Sequence, residues 1–223
     1  MQESELIGTA QVPGGAELRL MRRGDEFTIA LGRDELMSTR VSHSEEALAT
    51  MTGDRLGRRT APRVLIGGYG MGFTLRAALA CFGADARITV AELVPEIIAW
   101  ARGPMRELTA GCLDDPCVTL VQDDVARLIG AASDGYDAIL LDVDNGPDGL
   151  TRRGNDRLYS RQGLQAAMTA LKAGGILAVW SAHPDAEFAR RLRQVGFAVE
   201  EAVVRARPGG KGARHRIWFA RRA

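Results

Sequence analysis

From Arg63 onward, short apolar runs alternate with longer helical stretches. Val64–Ile66, Ile88–Ala91, Val118–Val121, Tyr136–Leu141 and Ile176–Trp180 read as five strands. The run YDAILL at 136–141 is almost continuously apolar, as expected of a strand covered on both faces. Between and after these strands, Thr74–Phe82, Pro95–Leu108, Val125–Ala132, Gly163–Leu171 and Glu187–Val195 read as helices. Pro95 suits a first helical turn, and Gly196 suits a C-terminal stop. The fifth strand is entered through Gly174-Gly175, and Ala198–Val204 and Arg216–Ala220 predict two last strands around the loop PGGKGAR. Five β-α repeats followed by a hairpin predict an α/β fold, a doubly wound Rossmann-like sheet, mostly parallel with an antiparallel C-terminal hairpin.

Residues 1–60 follow another pattern. Ala16–Leu31 predicts a β-hairpin turning at Arg22-Arg23-Gly24-Asp25, because Glu17-Leu18-Arg19-Leu20 alternates with period two. Ser42–Met51 reads as a helix start with Glu45 and Glu46 in its first turn, where the helix dipole favours negative charge. Gly53–Pro62 reads as a polar connector. The expected organisation is a small hairpin-and-helix extension, 1–60, ahead of a Rossmann-like domain, 61–223.

Composition narrows the function classes. The chain has 223 residues, with 29 Lys+Arg against 28 Asp+Glu and a net charge of +1. That balance gives no global attraction to nucleic acid or to an anionic membrane surface. Aromatics are only 5%, which disfavours a base-stacking surface. No apolar run reaches the ~18 residues of a membrane helix. The N-terminal sequence MQESELIGTAQ lacks a signal-peptide core. The three cysteines, Cys81, Cys112 and Cys117, fit neither a CxxC pair nor a zinc site, and no two histidines have metal-ligand spacing. A cytoplasmic protein without a metal, with free thiols, is expected.

In a doubly wound sheet, ligands bind beyond the carboxyl ends of the strands. That rule selects the loops after Ile66, Ala91, Val121 and Leu141. The first is glycine-rich, with Gly68, Gly70 and Gly72 alternating around Tyr69 and Met71. Phe73 stands where a dinucleotide fingerprint has its third glycine, which argues against an NAD site. Glu92, followed by Leu93, ends the second strand, where a carboxylate accepts hydrogen bonds from ribose hydroxyls. Asp123 and Asp124 follow the third strand, one suited to an adenine amine and either suited to capping the next helix. The fourth strand ends in Asp142 and opens DVDNGPDGLTRRGNDRLY, a long polar loop holding Asp144, Asn145, Asp148 and Tyr159. Connections of this length commonly carry substrate recognition.

VLIGGYGMGFTLR, VAELVPEII, DDPCVTLVQDD and YDAILLDVDNGP, in that order, resemble the spermidine synthase family, within the class I S-adenosylmethionine (SAM) dependent methyltransferase fold. The resemblance implies that Gly68–Gly72, with Met71, hold the methionine-like part of the donor, Glu92 the ribose and Asp123 the adenine. It implies that Asp142 positions and deprotonates an attacking amine, with Asn145 at the second acid position of the same segment. Glu46 and the loop residues Asp144, Asp148 and Tyr159 are the candidates for facing the acceptor. Two positions depart from the family pattern: Met71 stands in place of the aspartate of G-G-G-D-G-G, and Asn145 in place of the second aspartate of D-S-S-D-P.

The expected function is alkyl transfer from a SAM-type sulfonium, SAM or its decarboxylated form, to a small-molecule nucleophile such as an amine. The two missing acids tilt that expectation toward methyl transfer. Aminopropyl transfer to a polyamine is the alternative, and a non-catalytic nucleoside-binding protein the second. No nucleic-acid or membrane partner is expected, and the N-terminal hairpin would suit a homodimer.

Overall fold

The computed structural model describes residues 3–32, 34–143, 146–147 and 156–223. Its N-terminal part is a four-stranded antiparallel sheet where the sequence predicted a two-stranded hairpin. The strands β1 (Glu5–Gln11), β2 (Glu17–Arg23), β3 (Glu26–Leu31) and β4 (Asp34–Ser38) pair in chain order. The predicted turn is in place, with Arg23 opposite Glu26 and Gly24 at φ +62°. On the inner face, Leu18, Leu20, Phe27 and Ile29 are buried. β1 and β4 escape a reading by alternation because they are mostly exposed edge strands.

Helix α1 (His43–Leu56) then leads into the larger sheet. It runs through Gly53, which the sequence assigned to a connector; glycine lets α1 pack closely there, since a Cβ would stand 3.2 Å from Cys81 Sγ. The larger sheet comprises β5 (Arg63–Gly67), β6 (Arg87–Ala91), β7 (Val118–Val121), β8 (Tyr136–Leu141), β9 (Leu171–Ser181), β10 (Ala198–Arg207) and β11 (Lys211–Arg221). Their order is β10-β11-β9-β8-β5-β6-β7. The four pairings from β9 through β8, β5 and β6 to β7 are parallel, while β10, β11 and β9 pair antiparallel. β9 starts five residues before the predicted Ile176, with Gly174-Gly175 inside the strand.

The connecting helices are α2 (Phe73–Cys81), α3 (Pro95–Arg102), α4 (Arg106–Thr109), α5 (Val125–Ala131), α6 (Asp156–Tyr159), α7 (Arg161–Ala170) and α8 (Ala186–Val195). A single helix over 95–108 was expected. Gly103-Pro104 divides it into α3 and α4, since proline lacks the amide hydrogen and disfavours the helical conformation of its predecessor.

Two apolar layers sandwich the sheet. Val64, Ile66, Ala138 and Leu140 face α1, α2 and α3, and Leu65, Ile139 and Leu141 face α5, α7 and α8. Alternate residues of β5 and β8 thus feed opposite layers, which is why their sequences read as unbroken apolar runs. The first layer also takes in Val12, Leu18, Leu20, Phe27 and Ile29 of the small sheet. β1 approaches α3 so closely that a Cβ at Gly8 would stand 2.8 Å from Trp100 Nε1.

This shared layer predicts that the small sheet unfolds with the rest of the chain as one cooperative unit. Truncating fully buried Leu20 to Ala is expected to cost about 2–5 kcal/mol and to shift a single urea transition monitored by both tryptophan fluorescence and circular dichroism. Two separate transitions would show that residues 1–60 fold independently.

Candidate active site

The strand order reverses around β5, whose neighbours are β6 and β8, and the cleft opens at the carboxyl ends of these strands. After β5 the chain turns through Gly68–Gly72. Gly68 has φ +85°, and a Cβ on it would lie 2.4 Å from the Asp142 carbonyl oxygen. Gly70 has φ +55° and lies against Met37, whose Sδ would meet a Cβ at 2.8 Å. Conformation favours glycine at both positions, and at Gly68 the backbone of Asp142 leaves space for nothing larger.

The loop is tied to its neighbours by backbone hydrogen bonds. Gly68 N donates to Ala91 O at 2.9 Å, and Asp142 N donates to Gly67 O at 3.0 Å. Glu92 completes the tie: its Oε2 accepts from Tyr69 N at 2.9 Å and its Oε1 from Val94 N at 2.8 Å. It is 5% exposed, and burial raises its carboxyl above the ordinary range against the opposing pull of these amides. Each of its oxygens retains further lone-pair capacity toward the cleft, which Glu92 and Leu93 line.

The two aspartates after β7 divide their work. Asp124 caps α5, accepting from Ala126 N at 2.9 Å. Asp123 accepts from Asp124 N at 2.8 Å and keeps its side chain 33% exposed. Both line the cleft, together with Gly68, Gly70, Val125 and Asp142. The cleft has a volume of about 860 Å³, mouth included. Its far wall is apolar and comes from the small sheet: Val12, Leu18, Ile29, Leu36 and Met37. The sequence reading missed this wall, because alternation shows that one strand face is covered but not what covers it.

Asp142 lies where β8 ends. Its Oδ2 accepts from Thr74 Oγ1, on the first turn of α2, at 2.6 Å. Burial pushes its carboxyl up to about 6, opposed by the Thr74 bond. A second acid stands nearby. Glu45 is 8% exposed, and burial, then the charge of Asp142, push it up to about 8. Its Oε2 accepts from Ser44 Oγ at 2.6 Å, and its carbonyl lies 3.2 Å from Thr74 Oγ1. Ser44 Oγ is also 2.8 Å from His215 Nδ1 on β11, whose ring meets Trp180 edge-on at 4.8 Å.

Several anticipated residues stand elsewhere. Glu46 was expected at the acceptor, but its carboxylate accepts from Ser42 Oγ at 3.0 Å, and its neighbour Glu45 is the acid turned inward. Glu45 shares the buried face of α1 with Leu48, Ala49, Thr52 and Leu56, a helical spacing that the sequence displays. Met71 was expected beside the donor, but it is 1% exposed and belongs to the apolar layer. Gly72 starts α2 beneath the Tyr69 ring and does not line the cleft. Tyr159 was expected at the acceptor; it is 2% exposed, its hydroxyl donates to Val143 O at 3.4 Å, and its ring packs edge-on against Phe188. Asp144, Asn145 and Asp148 lie outside the described residues.

The sequence and the fold have known counterparts. The spermine/spermidine synthase domain model matches residues 45–200. The chain belongs to this family. It is 32% identical over 194 residues to a polyamine aminopropyltransferase of Mycobacterium tuberculosis, covering 82% of this chain and 35% of that protein. It is 33% identical over 168 residues to a polyamine aminopropyltransferase of Corynebacterium efficiens, covering 74% of this chain and 31% of the relative. The chain thus spans about a third of the length of these curated relatives. The spermidine synthase of Thermotoga maritima superposes with a TM-score of 0.78 at 20% identity, over 98% of this chain and 73% of that one. The family fold therefore extends over the small sheet as well as the large one.

The buried acids make stability depend on pH. The folded state raises the proton affinity of Asp142 and Glu45 above their ordinary values of 3.8 and 4.5. Their contribution to stability is complete below those ordinary values and is lost as pH rises toward about 8. Unfolding free energy measured in urea is expected to fall between pH 5 and pH 8. Glu45→Gln should flatten that decline by roughly 2 kcal/mol or more. An unchanged slope would show that Glu45 is not the group responsible.

Proposed function

We propose that this chain transfers an aminopropyl group from decarboxylated SAM to the amine of a small linear polyamine. The observation that carries the proposal is the carboxyl of Asp142, which lines the cleft, paired with the buried carboxyl of Glu45 behind it. A pair of acids suits a cationic acceptor. The names of the family members reported above, polyamine aminopropyltransferases, point the same way. The expectation of methyl transfer gives way here. It rested on Met71 and Asn145 replacing acids, yet Met71 is turned into the core and Glu45 supplies an acid that motif spacing did not reveal.

On this reading Glu92 takes the ribose hydroxyls and Asp123 the adenine amine. Gly68 and Gly70 let the sulfonium arm lie against the backbone, while Leu93, Ile97 and the small sheet enclose the apolar faces. The carboxylate that distinguishes SAM from its decarboxylated form would enter a cleft lined by Glu92, Asp123 and Asp142. Like-charge repulsion of about 1 kcal/mol or more disfavours SAM there, corresponding to roughly tenfold in affinity.

The reaction needs little beyond alignment, because the sulfonium is already a good leaving group. The lone pair of a neutral amine nitrogen attacks the aminopropyl carbon attached to sulfur. The N–C bond forms as the C–S bond breaks, and the bonding pair stays on sulfur, leaving neutral methylthioadenosine. The proton that the ammonium form of the acceptor must lose goes to Asp142. Thr74 holds Asp142 in place and keeps its carboxylate from becoming too basic to be ionised near neutral pH.

Mass spectrometry of reactions with 1,4-diaminobutane and either donor tests the proposal. Decarboxylated SAM is expected to yield methylthioadenosine and a diamine extended by one aminopropyl unit. S-adenosylhomocysteine with a methylated product would reinstate methyl transfer. Asp142→Asn is expected to lower kcat by about 100-fold or more, with donor affinity in calorimetric titration changed by less than about threefold.

A further inference from the structure

Glu45 is a buried acid that the reaction above does not touch. It sits behind Asp142, and one side of it leads to the surface. Ser44 Oγ lies 2.6 Å from Glu45 Oε2 and 2.8 Å from His215 Nδ1, within hydrogen-bond distance of both. Ser44 is fully buried, whereas His215 is partly exposed at the sheet end of the terminal hairpin. One serine hydroxyl thus bridges a buried carboxyl and an imidazole that solvent reaches. A hydroxyl so placed accepts a proton on one side as it donates on the other.

We propose that Glu45, Ser44 and His215 form a proton-release path. Glu45 gives up a proton when a cationic amine binds beside Asp142, and Ser44 and His215 carry that proton to solvent. This rests on the amine acceptor proposed above. The charged and titratable groups that act on Glu45 are Asp142 and Glu46, and the one that acts on His215 is His183. In the empty site at neutral pH, Glu45 holds its proton and Asp142 is largely ionised, so the pair carries about one negative charge. A bound cation favours the charged form of Glu45. Its proton passes to Ser44 Oγ as the serine hydrogen passes to His215 Nδ1. Burial keeps His215 less basic than an ordinary histidine, so it passes the proton on and does not retain it. The site then presents two negative charges to the polycation only while the polycation is there. No bond other than O–H and N–H changes, and the proton count balances: one leaves Glu45 and one reaches solvent.

The role is one of positioning charge, and its test reads protons. Titration calorimetry with 1,4-diaminobutane, run at pH 7.0 in buffers of different ionisation enthalpy, should show the native protein releasing between half a proton and one proton more than Glu45→Gln does. The excess should vanish at pH 9, where Glu45 is already ionised. In ligand-free protein, difference infrared spectra should show a protonated-carboxyl band that titrates between pH 7 and 9 and is absent from Glu45→Gln. Ser44→Ala should keep the band and slow its loss after a pH jump at least tenfold, and His215→Phe should do the same. Equal proton release by the native protein and Glu45→Gln, or no such band, would overturn the proposal, as would an unchanged loss rate in Ser44→Ala. A band that titrates as described in a protein that binds no diamine would instead remove the amine acceptor, and with it the trigger assigned to this path. Circular dichroism confirms that each variant is folded.

Discussion

The ends of β5 and β8 meet almost backbone to backbone, and the rest of the site depends on that approach. A Cβ on Gly68 would fall 2.4 Å from the carbonyl of Asp142, closer than any side chain tolerates. Because nothing but hydrogen occupies that space, the loop after β5 lies flat across the end of β8. Tyr69 N then reaches Glu92, and Asp142 N reaches Gly67. Three strand ends are locked by a few backbone hydrogen bonds, each contributing on the order of 1 kcal/mol. The carboxyl groups of Glu92, Asp123 and Asp142 are thereby placed around one cleft before any ligand arrives, which lowers the cost of ordering them on binding.

The same approach explains how a protein of near-zero net charge builds a local acidic site. Covered on both faces, β8 delivers Asp142 from the interior, where a carboxylate is poorly solvated. Thr74 provides one strong hydrogen bond, and α1 brings Glu45 to the same region. Two buried like charges cannot both persist cheaply, so the pair keeps one proton. The apolar wall from the small sheet strengthens this effect by excluding water from one side of the cleft.

Much of the fold was legible in the sequence because its signals are local. The period-two and unbroken apolar runs, Pro95 and Gly196 mark elements without reference to anything distant. The donor side of the site was legible for a related reason: a strand-end acid and a glycine turn sit at fixed distances along the chain from the elements that place them. What escaped depends on packing between distant segments. Glu45 and Glu46 are adjacent in sequence, and only the orientation of α1 decides which one is buried. The division of 95–108 was visible in Gly103-Pro104 but yielded to the apolar periodicity around it. His215 lies 171 positions from Ser44, and no local pattern joins them. Met71 misled in the opposite direction, since its place in a motif suggested the cleft while its apolar side chain had the core available.

The buried pair also shows why stability and function pull apart at this site. Replacing Glu45 with a neutral group of similar size would relieve desolvation and repulsion from Asp142. The folded state would gain stability at neutral pH, because it would no longer need to bind a proton that the unfolded chain has released. What such a replacement cannot supply is a charge that changes. A permanently neutral neighbour leaves Asp142 alone before a polycation, and a permanently ionised one would leave Asp142 already protonated before the amine arrives, with no free place for the amine's proton. An acid poised near pH 8 avoids both, but only if its proton has somewhere to go. Burial alone would trap it, and the Ser44–His215 contact is the feature of the fold that keeps the exchange open.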